Sequence, residues 1–258
     1  MTHILDEIVA HKKVEVASLQ TLLPLEALKA RATTSATRRP FFSLFERGPV
    51  LIGEIKPKSP SHGNLTSDPR SIAKLYADSA IDCISVLTDE TYFGGSIELL
   101  QDVRAIAPQP IFRKEFVVDV YQIYETAHIG ADAVLLIASI LDEETLRLCI
   151  DACAECSLGY LVEVHTQEEL IKALNVGARI IGINNRNLDT LQIDLSVTET
   201  LMHHMPTNVV AISESGIQAV DDAVRVKRAG VRGILVGASI LKSESPLQQI
   251  ALLKQALK

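Results

Sequence analysis

The sequence has 258 residues, of which 47% are hydrophobic and 22% are charged. This is the composition of a globular protein and excludes a disordered or collagen-like chain. The net charge of −7 and the absence of tryptophan disfavour a nucleic-acid-binding protein that relies on a positive surface or on stacked aromatics. A small anionic substrate stays compatible with this charge, because a pocket on an acidic protein can be locally positive.

No apolar run in the sequence reaches the roughly 18 residues that a membrane helix needs. Residues 1–20 mix charged and apolar side chains, so they lack the continuous apolar stretch of a secretory signal. We therefore expect a cytoplasmic protein with no membrane partner, whose four cysteines are thiols.

The first 49 residues precede the regular pattern of the chain. The segment ILDEIVAHKKVEVASLQ predicts a helix with apolar positions 4, 5, 8, 9, 14, 16 and 19, and PLEALKA predicts a second helix that starts at Pro24. The following TTSATRRP is typical of a loop. Because this segment is too short for a core of its own, we expect an N-terminal helical extension (1–49) that packs on the rest of a single domain (1–258), which the following residues predict to be a barrel.

From residue 50 onward, short apolar runs alternate with amphipathic stretches. Each run has four to six residues rich in Val, Ile and Leu, as in parallel strands that are buried on both faces. The predicted strands are 50–55, 83–87, 110–113, 133–138, 160–164, 180–184, 209–213 and 233–237. Eight strands, each followed by a helix, predict an α/β fold of the (β/α)₈ or TIM-barrel type. An open doubly wound sheet is the alternative, but it usually has a Gly-rich turn after its first strand, which this sequence lacks.

The stretches between the runs predict amphipathic helices. Clear examples are 69–80, 96–107, 117–130, 142–155, 166–177 and 217–230, with a last helix near 245–257. Asp142 and Thr166 precede acidic first turns and predict N-caps, whereas Gly130, Gly177 and Gly230 follow the last turns of their helices.

Polar side chains gather at the C-terminal ends of the predicted strands, where TIM barrels have their active sites. They are Glu54, Lys56, Arg113, Lys114, Glu163, His165, Asn184, Asn185, Arg186, Ser213, Glu214, Ser215 and Ser239. A charged side chain at a buried strand is costly unless it is paired or functional. A single one would suggest an ion pair between barrel layers, but five strands carrying them at the same end favour an active site.

Two strand-to-helix turns are rich in small residues. SESGI (213–217) contains Ser215 and Gly216, and LVGAS (235–239) contains Gly237 and Ala238. Small residues let backbone amides approach a phosphate, and the turns after strands 7 and 8 are the usual phosphate site of these barrels. The alternative is that these glycines only make tight turns.

Two further segments allow a functional and a structural interpretation. The loop after strand 1, KPKSPSHGNLTSDP, has the length of a lid or binding loop but could be a plain surface loop. In YFGGS (92–96), Phe93 either packs on a substrate ring or closes the barrel.

Three cysteines have a spacing found in some iron–sulfur sites. Cys149, Cys153 and Cys156 spell C-x₃-C-x₂-C, but they fall within a predicted helix, where buried thiols are the better explanation. The His residues show no metal-binding spacing either. We therefore expect no metal site.

Seven segments, in chain order, match one known family. They are IGEIKPKSPSHG (52–63), SVLTDETYFGGS (85–96), FRKEF (112–116), LVEVH (161–165), GINNRNLDTLQIDL (182–195), ISESGI (212–217) and GILVGASIL (233–241). The chain thus resembles the indole-3-glycerol phosphate synthase family of tryptophan biosynthesis over nearly its whole length. The resemblance implies a carboxy-lyase that closes the ring of 1-(2-carboxyphenylamino)-1-deoxyribulose 5-phosphate, with loss of carbon dioxide and water.

The resemblance also implies catalytic roles for four residues. Lys114 would protonate the ketone oxygen during ring closure, if burial and positive neighbours such as Lys56 lower its pKa. Glu163 would be the general base of the later step. Lys56 would hold the substrate carboxylate, and Glu54 would orient Lys56 or take a proton itself. How these four residues divide the proton transfers stays open at this point.

The remaining implied site residues bind the substrate. Those for its body are Ser59, Phe93, Phe116, Asn184, Arg186, Leu188 and Glu214, and those for its phosphate are Ser215, Gly216, Gly237 and Ala238. The implied reaction needs no nicotinamide, flavin or metal cofactor, because it consists of proton transfers and eliminations. We expect a small anionic substrate as the partner, no nucleic acid, and a monomer or weak homo-oligomer.

Two rival functions share parts of this pattern. A related sugar-phosphate barrel, such as phosphoribosylanthranilate isomerase, would keep the phosphate turns but not Lys56, Lys114 and Glu163 together. A non-catalytic phosphate-binding barrel would be favoured by the loss of Lys114 or Glu163, and both are present.

Overall fold

A closed parallel barrel forms the centre of the protein. The computed structural model describes residues 4–33, 37–59, 63–64, 66, 68–188 and 190–258. Within these residues, eight barrel strands pair in chain order and the last strand pairs with the first. The strands are β1 (Val50–Ile55), β2 (Cys83–Leu87), β3 (Ile111–Lys114), β4 (Ala133–Ile137), β5 (Gly159–Val164), β6 (Ile180–Asn184), β7 (Val210–Glu214) and β8 (Gly233–Val236). The predicted TIM barrel is confirmed, and each predicted strand boundary lies within one residue of the observed one.

Helices surround the barrel. They are α1 (Ile4–Leu22), α2 (Leu25–Thr33), α3 (Pro69–Ala77), α4 (Ile97–Ile106), α5 (Tyr121–His128), α6 (Glu143–Glu155), α7 (Gln167–Asn175), α8 (Ser196–Met202), α9 (Val220–Arg228), α10 (Ala238–Leu241) and α11 (Pro246–Ala256), with a 3₁₀ helix at Phe42–Glu46. No helix among the described residues is long and apolar enough to span a membrane.

The two predicted N-caps are confirmed. The side chains of Asp142 and Thr166 accept hydrogen bonds from the backbone N–H groups of Thr145 and Glu169, as N-caps do. The prediction of a helix from residue 117 was wrong, because α5 begins only at Tyr121. There the Asp119 side chain accepts the backbone N–H of Tyr121, so the preceding residues form a turn that leads into the helix.

The N-terminal ends of the strands are closed by the 3₁₀ helix and the residue before it. Phe41 stacks on Phe112 inside the barrel, with ring centroids 5.9 Å apart, and Arg232 donates a hydrogen bond of 2.8 Å to the carbonyl of Phe45. The guanidinium group of Arg38 donates to three backbone carbonyls of the barrel and its helices. This filled end leaves the C-terminal ends of the strands as the place for a site. Residues 34–36 of the predicted N-terminal loop lie outside the described residues.

The first helix reaches the opposite, C-terminal end of the barrel. Its buried side chains are Ile8, Lys12 and Val16, which follow one another at intervals of one helical turn. Val14, one of the apolar positions of the predicted helix, is 68% exposed and lies outside this packing face. A lysine therefore occupies the middle of the packing face, between Ile8 and Val16.

Candidate active site

A cavity of about 220 Å³ lies at the C-terminal ends of the strands. All predicted site residues except Ser59 line it, namely Glu54, Lys56, Phe93, Lys114, Phe116, Glu163, Asn184, Arg186, Leu188, Glu214, Ser215, Gly216, Gly237 and Ala238. The backbone of Ser59 pairs with Gly63 in a short antiparallel hairpin, and the Ser59 side chain lies outside the described structure. Residues 60–62, 65 and 67 of the loop after β1 are also outside it.

Four ionisable side chains of the cavity come from alternate strands. Glu54, Lys114, Glu163 and Glu214 belong to β1, β3, β5 and β7. Alternate strands of a TIM barrel contribute their inward side chains to the same layer. The layer at the open end of this barrel is therefore charged, in contrast to the apolar layers beneath it, which contain Phe112 and other core residues.

Lys114 lies between two of these carboxylates. Its Nζ is 3.0 Å from Oε2 of Glu163 and 3.0 Å from Oε2 of Glu214. Glu54 forms its own ion pair with Lys56. The site thus combines two ammonium groups with three carboxylates, which is a set of proton donors and acceptors within hydrogen-bonding reach of one another.

The charges around Lys114 decide its protonation. Burial favours the neutral amine, but the carboxylates of Glu163, Glu214 and Glu54 outweigh burial and raise the pKa of Lys114 above its ordinary value. Burial and Lys56 therefore do not lower the pKa of Lys114, which was the condition stated for its role as an acid. The positive charge of Lys56 is paired with Glu54, so it does not offset the carboxylates that face Lys114.

The three carboxyl groups differ in the direction of their pKa shifts. Burial opposes the ionisation of Glu54 and Glu163, but the attraction of the neighbouring lysines is larger and holds both pKa values below their ordinary range. For Glu214, burial outweighs the attraction of Lys114, and with the repulsion of Glu163 it raises the pKa to about 7. Near neutral pH the site therefore contains a protonated amine, two ionised carboxylates and one carboxyl group that is partly protonated.

The two turns rich in small residues adjoin this layer. Ser215 and Gly216 have φ values of 62° and 87°, and a Cβ on Gly216 would lie 2.7 Å from Ile193. A Cβ on Gly237 would lie 3.0 Å from Oε2 of Glu54. A side chain at either position would come too close to a neighbouring residue, which explains why both are glycines. Both turns line the cavity.

Aromatic rings form another wall of the cavity. The centroids of Phe93 and Phe116 lie 5.7 Å apart. Asp89 accepts the backbone N–H of Phe93, and Glu115 accepts that of Phe116. Lys12 from α1 joins these two carboxylates, since its Nζ lies 3.3 Å from Asp89 and 3.2 Å from Glu115. Lys12 thus connects the N-terminal helix to the two carboxylates that bind the backbone of Phe93 and Phe116. The sequence did not predict this role.

Two polar residues that received no role from the sequence lie behind the cavity wall. Asn185 donates to the Ser213 hydroxyl and to the carbonyl of Glu214, and accepts hydrogen bonds from Thr198, so it fixes the end of β7. His165 lies beside Glu163. Their position at the ends of predicted strands indicated that both residues lie near the site. Only the folded structure shows which residues they contact.

The three cysteines of the helical segment are free, buried thiols. Cys149 and Cys153 lie on α6, and Cys156 ends it. In the described parts of the chain, no group of three or more His, Cys, Asp or Glu side chains is placed to hold a metal ion.

Comparison of the structure with solved proteins finds the same fold. A 3-hexulose-6-phosphate synthase from Salmonella typhimurium matches with a TM-score of 0.67 at 15% identity, covering 81% of this chain and 98% of that one. A thiamine phosphate pyrophosphorylase from Pyrococcus furiosus matches with a TM-score of 0.60 at 15% identity, covering 83% and 97%. At this identity the likeness shows the barrel fold alone.

Sequence comparison is more specific. The family model of indole-3-glycerol phosphate synthase matches residues 5–253. The chain is 42% identical over 254 residues to an indole-3-glycerol phosphate synthase of Albidiferax ferrireducens, covering 95% of this chain and 96% of the relative. It is 41% identical over 253 residues to one of Acetivibrio thermocellus, covering 96% and 97%. These matches confirm the resemblance, and the chain belongs to the indole-3-glycerol phosphate synthase family.

Proposed function

We propose that the protein converts 1-(2-carboxyphenylamino)-1-deoxyribulose 5-phosphate into indole-3-glycerol phosphate, as a carboxy-lyase of tryptophan biosynthesis. The observation that carries this proposal is the placement of Lys114 between Glu163 and Glu214 in the cavity of a member of this family. A proton donor and a proton acceptor in one cavity are what a ring closure followed by a dehydration needs.

The cavity offers separate places for the parts of this substrate. Phe93, Phe116 and Leu188 provide an apolar surface for the aromatic ring. Lys56, at the end of β1, would attract the carboxylate of the ring. The turns that contain Gly216 and Gly237 would receive the phosphate, because their lack of side-chain bulk permits close backbone approach. Asn184, Arg186 and Ser59 would orient the chain between these ends.

In the first step, the ring carbon that carries the carboxylate attacks the ketone carbon. The electron pair of the C=O bond moves to its oxygen, which takes a proton from Lys114. With its raised pKa, Lys114 is a weak acid, and it becomes a stronger one when a neighbouring carboxylate loses its negative charge. Glu214 is suited to this, because its pKa of about 7 lets it take up a proton and release its hold on Lys114. Loss of carbon dioxide then restores the aromatic ring.

In the second step, the hydroxyl group formed from the ketone leaves as water. It takes a proton from Lys56, because Lys114 gave up its proton in the first step, and the adjacent ring carbon loses a proton to Glu163. Glu163 is suited to this role because its pKa lies below its ordinary range, so it is ionised when the reaction begins. The products are the indole, one carbon dioxide and one water.

The test is the direct assay with purified protein. We expect the anilino-deoxyribulose phosphate to give a rise in indole fluorescence, and phosphoribosylanthranilate to give no isomerised product. Conversion of phosphoribosylanthranilate instead would favour the isomerase, and binding without conversion of either compound would favour a non-catalytic barrel. We also propose a cytoplasmic location. We further propose a monomeric or weakly associating state, and the molecular mass in solution tests this state.

A further inference from the structure

A second positive group lies on the other side of Glu163 from Lys114. The ring nitrogen Nε2 of His165 is 3.5 Å from Oε1 of Glu163, whereas Lys114 contacts Oε2. His165 follows directly after β5, two residues beyond Glu163, so both side chains project to the same side of the strand. His165 does not line the cavity, so it would act on the substrate only through Glu163.

Glu169 fixes the orientation of the imidazole ring. Its Oε2, in the first turn of α7, lies 3.1 Å from Nδ1 of His165 and 2.7 Å from the backbone nitrogen of the same residue. Nδ1 therefore donates to Glu169, and Nε2 is left to face Glu163. Among the described residues, buried Nε2 has no hydrogen-bond partner. A neutral Nε2 would turn its lone pair towards a carboxylate, whereas a protonated Nε2 faces an opposite charge.

The charged groups that face His165 favour the imidazolium. They are Glu163 on β5, Glu169 on α7 and Glu214 on β7, with Lys114 on the far side of Glu163. Burial opposes the charged ring, but the hydrogen bond to Glu169 and the three carboxylates outweigh it, so the pKa of His165 lies above its ordinary value. Geometry and charge therefore agree on a second cation beside Glu163.

We propose that His165 is a positioning residue that keeps Glu163 ionised after Lys114 has given its proton to the substrate. This inference rests on the proposed function. In the first step Lys114 loses its positive charge, and Glu163 would then be a buried carboxylate without a counter-charge, which favours proton uptake. The imidazolium of His165 supplies the missing charge, so Glu163 enters the second step as a base.

The pH dependence of kcat tests this role. Below its pKa His165 is charged, and above it the charge is lost, so wild-type kcat should fall on the alkaline side as His165 deprotonates. His165→Asn places an amide near the position of Nδ1, which keeps a donor for Glu169 but removes the charge. We expect a kcat roughly tenfold lower and without this alkaline limb, a smaller loss than the ~10²–10⁴-fold expected for an essential proton-transfer group.

Glu169→Gln removes the charge that supports the imidazolium and should move the alkaline limb to lower pH. His128→Asn, an exposed histidine at the end of α5, is the matched control and should leave the profile unchanged. Should a variant at 165 fail to fold, NMR titration of His165 in Glu163→Gln gives the same information, because the two groups must shift each other's pKa reciprocally.

Three results would overturn the proposal: an alkaline limb of unchanged pKa in His165→Asn, a limb in Glu169→Gln that coincides with the wild type, or a His165 pKa that does not fall in Glu163→Gln. Failure of the proposed function looks different, since the wild-type protein would then form no indole at any pH.

Discussion

The ammonium group of Lys114 lies 3.0 Å from a carboxylate oxygen of Glu163. One ion pair thus joins the proposed proton donor of the ring closure to the proposed proton acceptor of the dehydration. Because each group stabilises the charge of the other, neither changes its protonation alone. The substrate therefore takes its proton from a lysine that is paired with Glu163. This first proton transfer changes the charge beside Glu163 before the second proton transfer.

Replacement of Lys114 tests the donor. We expect Lys114→Met to lower kcat by about 10²–10⁴-fold, the range for removal of a positioned general acid. Lys74→Met, on the exposed face of α3, is the control and should keep wild-type kcat. Steady-state kinetics by indole fluorescence provide the measurement, and circular dichroism checks the fold. A Lys114→Met enzyme with more than roughly a tenth of wild-type kcat would contradict the donor role.

Glu163→Gln tests the acceptor with a side chain of nearly the same shape. The amide cannot accept the proton from the ring carbon, so kcat should fall while the dissociation constant of the product stays within a few-fold of the wild type. Rapid-quench analysis should show carbon dioxide released faster than indole appears, because only the later step is blocked. Equal rates for the two products would place Glu163 before or at the decarboxylation.

Glu214 links the site to the pH dependence of folding. Its pKa in the folded protein is about 7, above the ordinary value of 4.5, so between these pH values the folded state binds more protons than the unfolded state. Its contribution to stability is therefore present at low pH and is lost as pH rises towards 7. We expect the free energy of unfolding of Glu214→Gln, relative to the wild type, to increase from pH 5 to pH 8. Urea denaturation at both values measures this difference, and a constant or decreasing one would refute the assignment.

Lys12 is expected to support both the fold and the aromatic wall. Lys12→Met would remove the ammonium group from buried Asp89 and leave Glu115 with the guanidinium of Arg113, 3.6 Å away. Breaking a buried ion pair in this way costs about 3–5 kcal/mol. KM should rise as well, because both carboxylates hold the backbone of the aromatic wall. Lys13→Met, at the exposed neighbouring position, is the control. If denaturation shows the same stability for both variants, the buried network is not significant.

The barrel could be predicted because its signals are local. Each strand is a short apolar run buried on both faces, and the run itself marks where the strand ends. The strand ends in turn gave Glu54, Lys114, Glu163 and Glu214 as neighbours, since the barrel brings all C-terminal ends to one side. The division of roles among these residues stays a prediction, as does the organisation of the chain as one domain.

What the sequence could not provide depends on contacts between distant residues. Lys12 lies on an apolar helix face, and its counter-charges Asp89 and Glu115 belong to loops far along the chain. The direction of the Lys114 pKa shift likewise depends on how many carboxylates face it, which spacing does not reveal. The contact between His165 and Glu169 is close in sequence, but its importance comes from the position of Glu163 beside it.

The proposed mechanism places ring closure, release of carbon dioxide and formation of the indole in one cavity. The most direct measurement uses anilino-deoxyribulose phosphate with a labelled carboxylate carbon and follows labelled carbon dioxide and indole fluorescence in the same reaction. We predict that wild-type protein releases one labelled carbon dioxide for each indole formed, and that Lys114→Met releases neither at a comparable rate. Indole without release of the label, or binding of the substrate with no product, would contradict this mechanism.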